Sequence, residues 1–229
     1  RGVDFEVHVD HVLVDPATLA SSYPSYSAFR RAWQTEPICD PTPAPAASDF
    51  DGIDAGVGSD RSEVAIELPT AGEEAAMTRL DAFVTEALSA YADRRDDLEG
   101  AVTDTIGPVS ELSPYLARGM LGVRTVYAAA APEGSRGARK FRDELCWREF
   151  YQHLLFHNPR LPVEDYRTDQ GPIDWREDPA GLSAWAAGMT GYPLVDAGMR
   201  QLAERGYIHN RPRQVAASFL CTHLLIDWR

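Results

Sequence analysis

The sequence predicts a mainly α-helical domain over residues 70–229, preceded by a linker and a short N-terminal segment of strand character. Three observations support this. From Glu73 onward, apolar residues recur at three- and four-residue spacing. Prolines fall where helices should start or stop: Pro114, Pro132, Pro159 and Pro212. No alternating strand pattern and no internal repeat follows residue 69. Apolar residues make up 44% of the 229, enough for a buried core. No stretch approaches the roughly eighteen apolar residues of a membrane span.

Taken in order, residues 3–14 alternate loosely and are rich in valine, so they read as one or two short strands, ended by Asp15-Pro16. Residues 26–34 form a short helix or loop carrying Phe29 and Trp33. Residues 37–62, rich in Pro, Ala, Gly, Ser and Asp, are a linker. The expected organisation is therefore an N-terminal segment over 1–36, a linker over 37–69 and a helical domain over 70–229. Met77, Leu80, Val84, Leu88 and Tyr91 line one helix face, and Gly100 can end that run. Ser113-Pro114 opens a short helix. Helices over 123–131 and 139–157 are stopped by Pro132 and Asn158-Pro159. Residues 159–179 form a loop containing Trp175. Further helices cover 182–187, 194–204 (closing at Gly206) and Pro212 to about Asp227. The chain begins at Arg1 and ends at Arg229 without a stop signal, so both ends read as cuts.

Charge narrows the function. The net charge is −13, and only Lys140 among the 22 basic residues is a lysine. That composition suits a high-salt cytoplasm or an Arg- and Ala-favouring GC-rich genome. Residues 1–104 hold 21 acids and 7 bases, whereas residues 105–229 hold 14 acids and 15 bases. Any contact with nucleic acid therefore belongs to the second half, since phosphate contacts dominate such affinity. Cys39, Cys146 and Cys221 stand far apart with no metal-like spacing, which points to free thiols in a reducing cytoplasm and to no metal.

Several residue patterns carry chemistry, each beside a plainer reading. Glu144, Trp147 and Tyr151 are spaced by three and four and share one helix face. They form either an aromatic plane beside a carboxylate, or a core tryptophan with Glu144 paired to Arg148. Asn210 and Arg211 precede Pro212 at a helix start, where free N–H groups can meet a phosphate. Alternatively, Asn210 only caps the helix. Trp175 and Trp228 taken alone read as core tryptophans. Tyr91 and Arg95 read as amphipathic-helix residues, and Phe141 as a core phenylalanine.

Three strings change the weighting: Glu144-Leu-Cys-Trp-Arg-Glu-Phe-Tyr151, Thr190-Gly-Tyr-Pro-Leu-Val-Asp-Ala-Gly-Met-Arg-Gln-Leu202, and His209-Asn-Arg-Pro-Arg-Gln-Val-Ala-Ala-Ser-Phe-Leu220 running on to Leu224-Leu-Ile-Asp-Trp-Arg229. In this order and spacing the chain resembles the photolyase/cryptochrome family, as a class I-like photolyase, strongly over 70–229 and weakly over 1–36, which the resemblance makes a short C-terminal remnant of the family's N-terminal α/β antenna domain. The resemblance implies a helical FAD-binding domain that also binds UV-damaged DNA, as a monomer in the cytoplasm and away from membranes. An antenna pigment would belong to an N-terminal domain outside these residues. Photolyases act on a lesion flipped out of the duplex. The resemblance assigns Glu144 and Trp147 to lesion binding, and Arg95, Arg148, Tyr151, Asn210, Arg211 and Arg213 to DNA contact. Tyr91, Ser110, Glu111, Leu112, Ser113 and Phe141 would surround FAD, and Trp228 and Trp175 would carry electrons to it.

One segment departs from the family pattern. Where the family usually has Thr-Ser-Arg-Leu-Ser at the flavin phosphates, this chain has Val109-Ser110-Glu111-Leu112-Ser113. A carboxylate there repels a pyrophosphate unless it is screened or turned away. Gln214 and Tyr207 also replace family-typical side chains near the lesion pocket. The expected activity is that of a carbon–carbon lyase, light-driven splitting of pyrimidine dimers by an electron from reduced FAD, with these 229 residues alone expected to be inactive. The alternatives are a blue-light photoreceptor without repair and a flavin-free helical module.

Overall fold

The computed structural model describes residues 12–38, 40–41, 66, 68–98, 107, 109–166 and 171–229. No strand occurs among the described residues, and the architecture is mainly α. All but residues 12–14 of the expected strand region lie outside the described residues, and Val12–Val14 form no strand. Most of the expected linker also lies outside them. No helix among the described residues is long and apolar enough to cross a membrane. The chain divides into two compact units, one built from residues up to 41 and from 70 to 166, the other mainly from 171–229.

In the first unit, α1 (Tyr26–Trp33) starts at Ser25, whose hydroxyl accepts from Ala28 N–H at 3.3 Å, and ends near Arg30 and Arg31. Such a cap is worth about 1 kcal/mol, and cations suit the negative end of the helix. Its face carries Phe29 and Trp33, four apart and buried. These join Leu13, Val14 and Leu19 in one core with Leu80, Phe83, Val126, Phe141 and Leu145. The described part of 12–36 therefore packs with the helices that follow it. Glu149 holds the extended segment, its buried carboxylate accepting from the N–H groups of Leu13 (2.7 Å) and Val14 (3.2 Å).

The helix expected from Glu73 to near Gly100 is interrupted. Regular α2 covers Glu73–Ala82. A π turn (Phe83–Ala87) and a 3-10 turn (Leu88–Ala90) follow, then the one-turn α3 (Tyr91–Arg94). The 3-10 turn faces α6 (Arg136–His157), where a Cβ at Gly137 would collide with the carbonyl oxygens of Leu88 and Ser89. Two backbones meet there, and only glycine permits it. Helix α4 spans Ser113–Ala117 and α5 spans Val123–Ala130. Helix α6 starts three residues before the expected Arg139 because Ser135 caps it, accepting from Ala138 N–H at 3.0 Å.

In the second unit, α7 (Pro179–Ala186) is capped by Asp178, which accepts from Gly181 N–H at 2.8 Å. Helix α8 (Pro193–Arg205) closes at Gly206 with φ 61°, a left-handed stop that suits glycine. Helix α9 (Asn210–Ser218) crosses α8 where Gly198 meets Pro212. The last helix was expected to reach Asp227. Instead a π turn (Phe219–His223) follows α9, and Leu224–Arg229 is not helical. Val195, Met199, Ala216 and Phe219 form the core, and the Trp185 indole N–H ties α7 to the Ala216 carbonyl at 2.9 Å.

Candidate functional site

In the first unit, one face of α6 gathers the predicted residues. Glu144 forms ion pairs with Arg95 and, at 2.9 Å, with Lys140 one turn earlier. Arg148 bonds its neighbour Glu149 at 3.2 Å. The Arg95 guanidinium also lies 5.6 Å from the centre of the Tyr91 ring, a cation–π contact. Tyr91 packs edge-on against Phe141 at 5.4 Å, and both are buried in the core with Leu112.

Trp147 is half-buried and is not among the buried core residues of this unit. One of its faces is covered by Tyr26, with ring centroids 3.4 Å apart and planes 7° from parallel. Tyr151, largely exposed, lies 6.1 Å away at 26°. Tyr26 is itself fixed, since its hydroxyl donates to the Asp143 carbonyl at 3.1 Å, while Arg30 pairs with the Asp143 carboxylate at 2.7 Å. Such an aromatic pair contributes about 0.5–1.5 kcal/mol beyond its area. Tyr26 carried no signal in the sequence, because its partner is far along the chain. Burial pushes the Cys146 thiol up to about 11, which keeps it from acting as a nucleophile.

The departing segment lies between α3 and α4. Glu111 has φ 53°, a left-handed conformation costing a non-glycine residue about 1–2 kcal/mol. Arg79 of α2 reaches it. Its guanidinium pairs with Glu111 at 3.0 Å and donates to the carbonyls of Ser110 (2.9 Å) and Val109 (3.4 Å). The Ser110 hydroxyl oxygen accepts from Leu112 N–H at 3.4 Å. Arg79 was also missed from sequence, since its place on an amphipathic helix resembles any solvated cation.

In the second unit, Asn210, Arg211 and Arg213 are exposed at the start of α9. The capping residue is His209, not Asn210: its Nδ1 accepts from Arg211 N–H at 3.1 Å, leaving the Asn210 side chain outside that role. His209 is buried, and its own N–H donates to the Gln201 side chain at 2.9 Å. Arg211 donates to Gln214 at 3.2 Å, and Arg213 to the Ile208 carbonyl at 3.2 Å. In the first turn of α8, Asp196 accepts from the Thr190 hydroxyl (2.6 Å), Thr190 N–H (2.7 Å) and Gly191 N–H (2.9 Å) of the preceding loop. These bonds, led by the Thr190 hydroxyl, hold its carboxyl below the usual range. Trp175 is half-buried and Trp228 exposed. Their segments meet where Arg176 N–H donates to the Leu225 carbonyl at 2.7 Å. No ring contact joins the two tryptophans.

Comparison with known proteins accounts for this arrangement. Residues 141–229 match the family model for the FAD-binding domain of DNA photolyase. A deoxyribodipyrimidine photo-lyase of Halobacterium salinarum is 40% identical over 227 residues, covering 90% of this chain and 46% of that protein. One from Thermus thermophilus is 38% identical over 216 residues, covering 93% and 49%. Among solved structures, a class III photolyase from Agrobacterium tumefaciens superposes with a TM-score of 0.73 at 34% identity, covering 95% of this chain and 48% of that one. A Synechocystis cryptochrome gives 0.67 at 28% identity, covering 96% and 49%. The chain spans about half the length of the curated relatives it matches. With its helical fold, its Glu144–Tyr151 string and these matches over nearly its whole length, the chain belongs to the photolyase/cryptochrome family.

Proposed function

We propose that the chain binds FAD and UV-damaged DNA, and that the protein splits pyrimidine dimers by light-driven electron transfer. The observation that carries this is the α6 face. Trp147 offers a flat, half-buried ring, backed by Tyr26, one turn from a Glu144 carboxylate clamped between Arg95 and Lys140. A flipped-out base stacks on the part of the Trp147 ring left exposed beside Tyr26 and Tyr151. Glu144 accepts a hydrogen bond from the edge of a base, and its two cations hold it in place. Tyr151 and Arg148 flank the same face, while Asn210, Arg211 and Arg213 contact phosphates, where charge supplies affinity.

The residues present fit FAD. Arg79 neutralises the Glu111 carboxylate, which would otherwise repel its phosphates, Ser110 and Ser113 offer hydroxyl donors, and Tyr91, Leu112 and Phe141 supply apolar surface. When bound in reduced form, FAD supplies the electron, and this chain binds, orients and shields. Trp228 and Trp175 pass electrons inward to keep the cofactor reduced. An antenna pigment would be held outside these residues.

The test is equilibrium binding of an oligonucleotide with one thymine dimer, against its undamaged twin, by the full-length protein. Stacking on an aromatic is worth about 1–3 kcal/mol per base. Trp147→Ala is therefore expected to weaken dimer binding roughly 5- to 100-fold, with little effect on undamaged DNA. Equal weakening of both, or none, contradicts the reading. A blue-light photoreceptor without repair is the competing function, motivated by the likeness to the cryptochrome.

A further inference from the structure

We infer that Arg79 supplies the positive charge at the segment 109–113, so that Arg79 and Glu111 act as one neutral unit beside the flavin phosphates. This rests on the FAD reading above and goes beyond it by naming a positioning residue on a different helix. Position 111 carries a carboxylate where the family pattern places a cation. The charge is returned by Arg79, from α2, across 32 residues of sequence. The guanidinium engages three consecutive residues: the carbonyls of Val109 and Ser110 and the carboxylate of Glu111. The side chains are 20% and 26% exposed, shielded enough that solvent does not dissipate the pairing. Glu111 adopts its left-handed backbone while held by this cation.

Two effects follow. Without Arg79, the carboxylate faces the diphosphate uncompensated. Without Glu111, Arg79 is released to bond the diphosphate directly. Charge, and not only shape, is therefore shared between the two positions. A purely structural Arg79 would hold the segment through its carbonyl bonds, and neutralising Glu111 would not replace those.

The experiment is a fluorescence titration of FAD into the deflavinated full-length protein, at low and high salt. The variants are Arg79→Gln, Glu111→Gln, the double variant, and Ser110→Ala/Ser113→Ala. Circular dichroism verifies that each is folded. Arg79→Gln is expected to weaken binding about tenfold or more at low salt. Glu111→Gln is expected to tighten it. The double variant is expected to recover most of the loss, and high salt to shrink all three differences. If the double variant stays as weak as Arg79→Gln while the serine variant also weakens, the segment does serve FAD but Arg79 is only a scaffold, and the inference is overturned. If FAD binds equally to all the variants, or not at all to the parent, the reading of this segment as a flavin site falls and the inference falls with it.

Discussion

Glu149 shows how one side chain ties sequence-distant segments together, and what that implies for pH. It lies on the α6 face that carries Leu145, Cys146 and His153, and it is 3% exposed. Burial raises its pKa from 4.5 to about 7, against the pull of the Leu13 and Val14 N–H donors and of Arg148. The folded state thus keeps a proton that the unfolded chain has lost between these two values. Stability falls as pH rises through that window, by at most about 3 kcal/mol. Thermal unfolding from pH 4.5 to 7 is expected to show this decline, and Glu149→Gln to flatten it. A decline of the same slope in the variant would contradict the assignment. Asp196 has the opposite sign, because its lowered pKa gives stability that is lost only as pH falls through the acid range. Neither role was recognised from the sequence. A carboxylate at an apolar helix position could have flagged Glu149, but its partners, Leu13 and Val14, are visible only in three dimensions.

Among elements, the helices were legible and their irregularities were not. Spacing and caps predicted the helices of 123–131, 139–157 and 194–204 to within a few residues. The break at 83–90 carries no glycine or proline of its own, so nothing local announces it. Its visible counterpart is Gly137, distant in sequence, where α6 meets the carbonyls of Leu88 and Ser89. Gly137→Ala is therefore expected to destabilise the first unit by about 1–3 kcal/mol through overpacking, although alanine is the better helix former. Chemical denaturation measures this, and an unchanged or raised stability would contradict the close approach. The same limit explains Trp147. Its motif was legible, but the Tyr26 ring that covers one face comes from α1, which the motif does not contain. At the start of α9, proline marked the helix, and His209 rather than Asn210 proved to be its cap because the imidazole Nδ1 reaches Arg211 N–H.

For the whole molecule, charge and site distribution agree. The acidic excess lies in residues 1–104, while Glu144 and Trp147 of α6 and the exposed arginines of α9, the residues proposed to meet DNA, lie in the balanced half. The departure at Glu111 looked in sequence like the loss of a cofactor contact, and the fold supplies a compensating charge from Arg79. What remains decisive is the chemistry. The most direct measurement is repair of a thymine-dimer oligonucleotide by the full-length, flavin-loaded protein under blue light, with a dark control. The account predicts restored thymines in the light alone. A flavin-loaded protein that binds the dimer and restores none would contradict it.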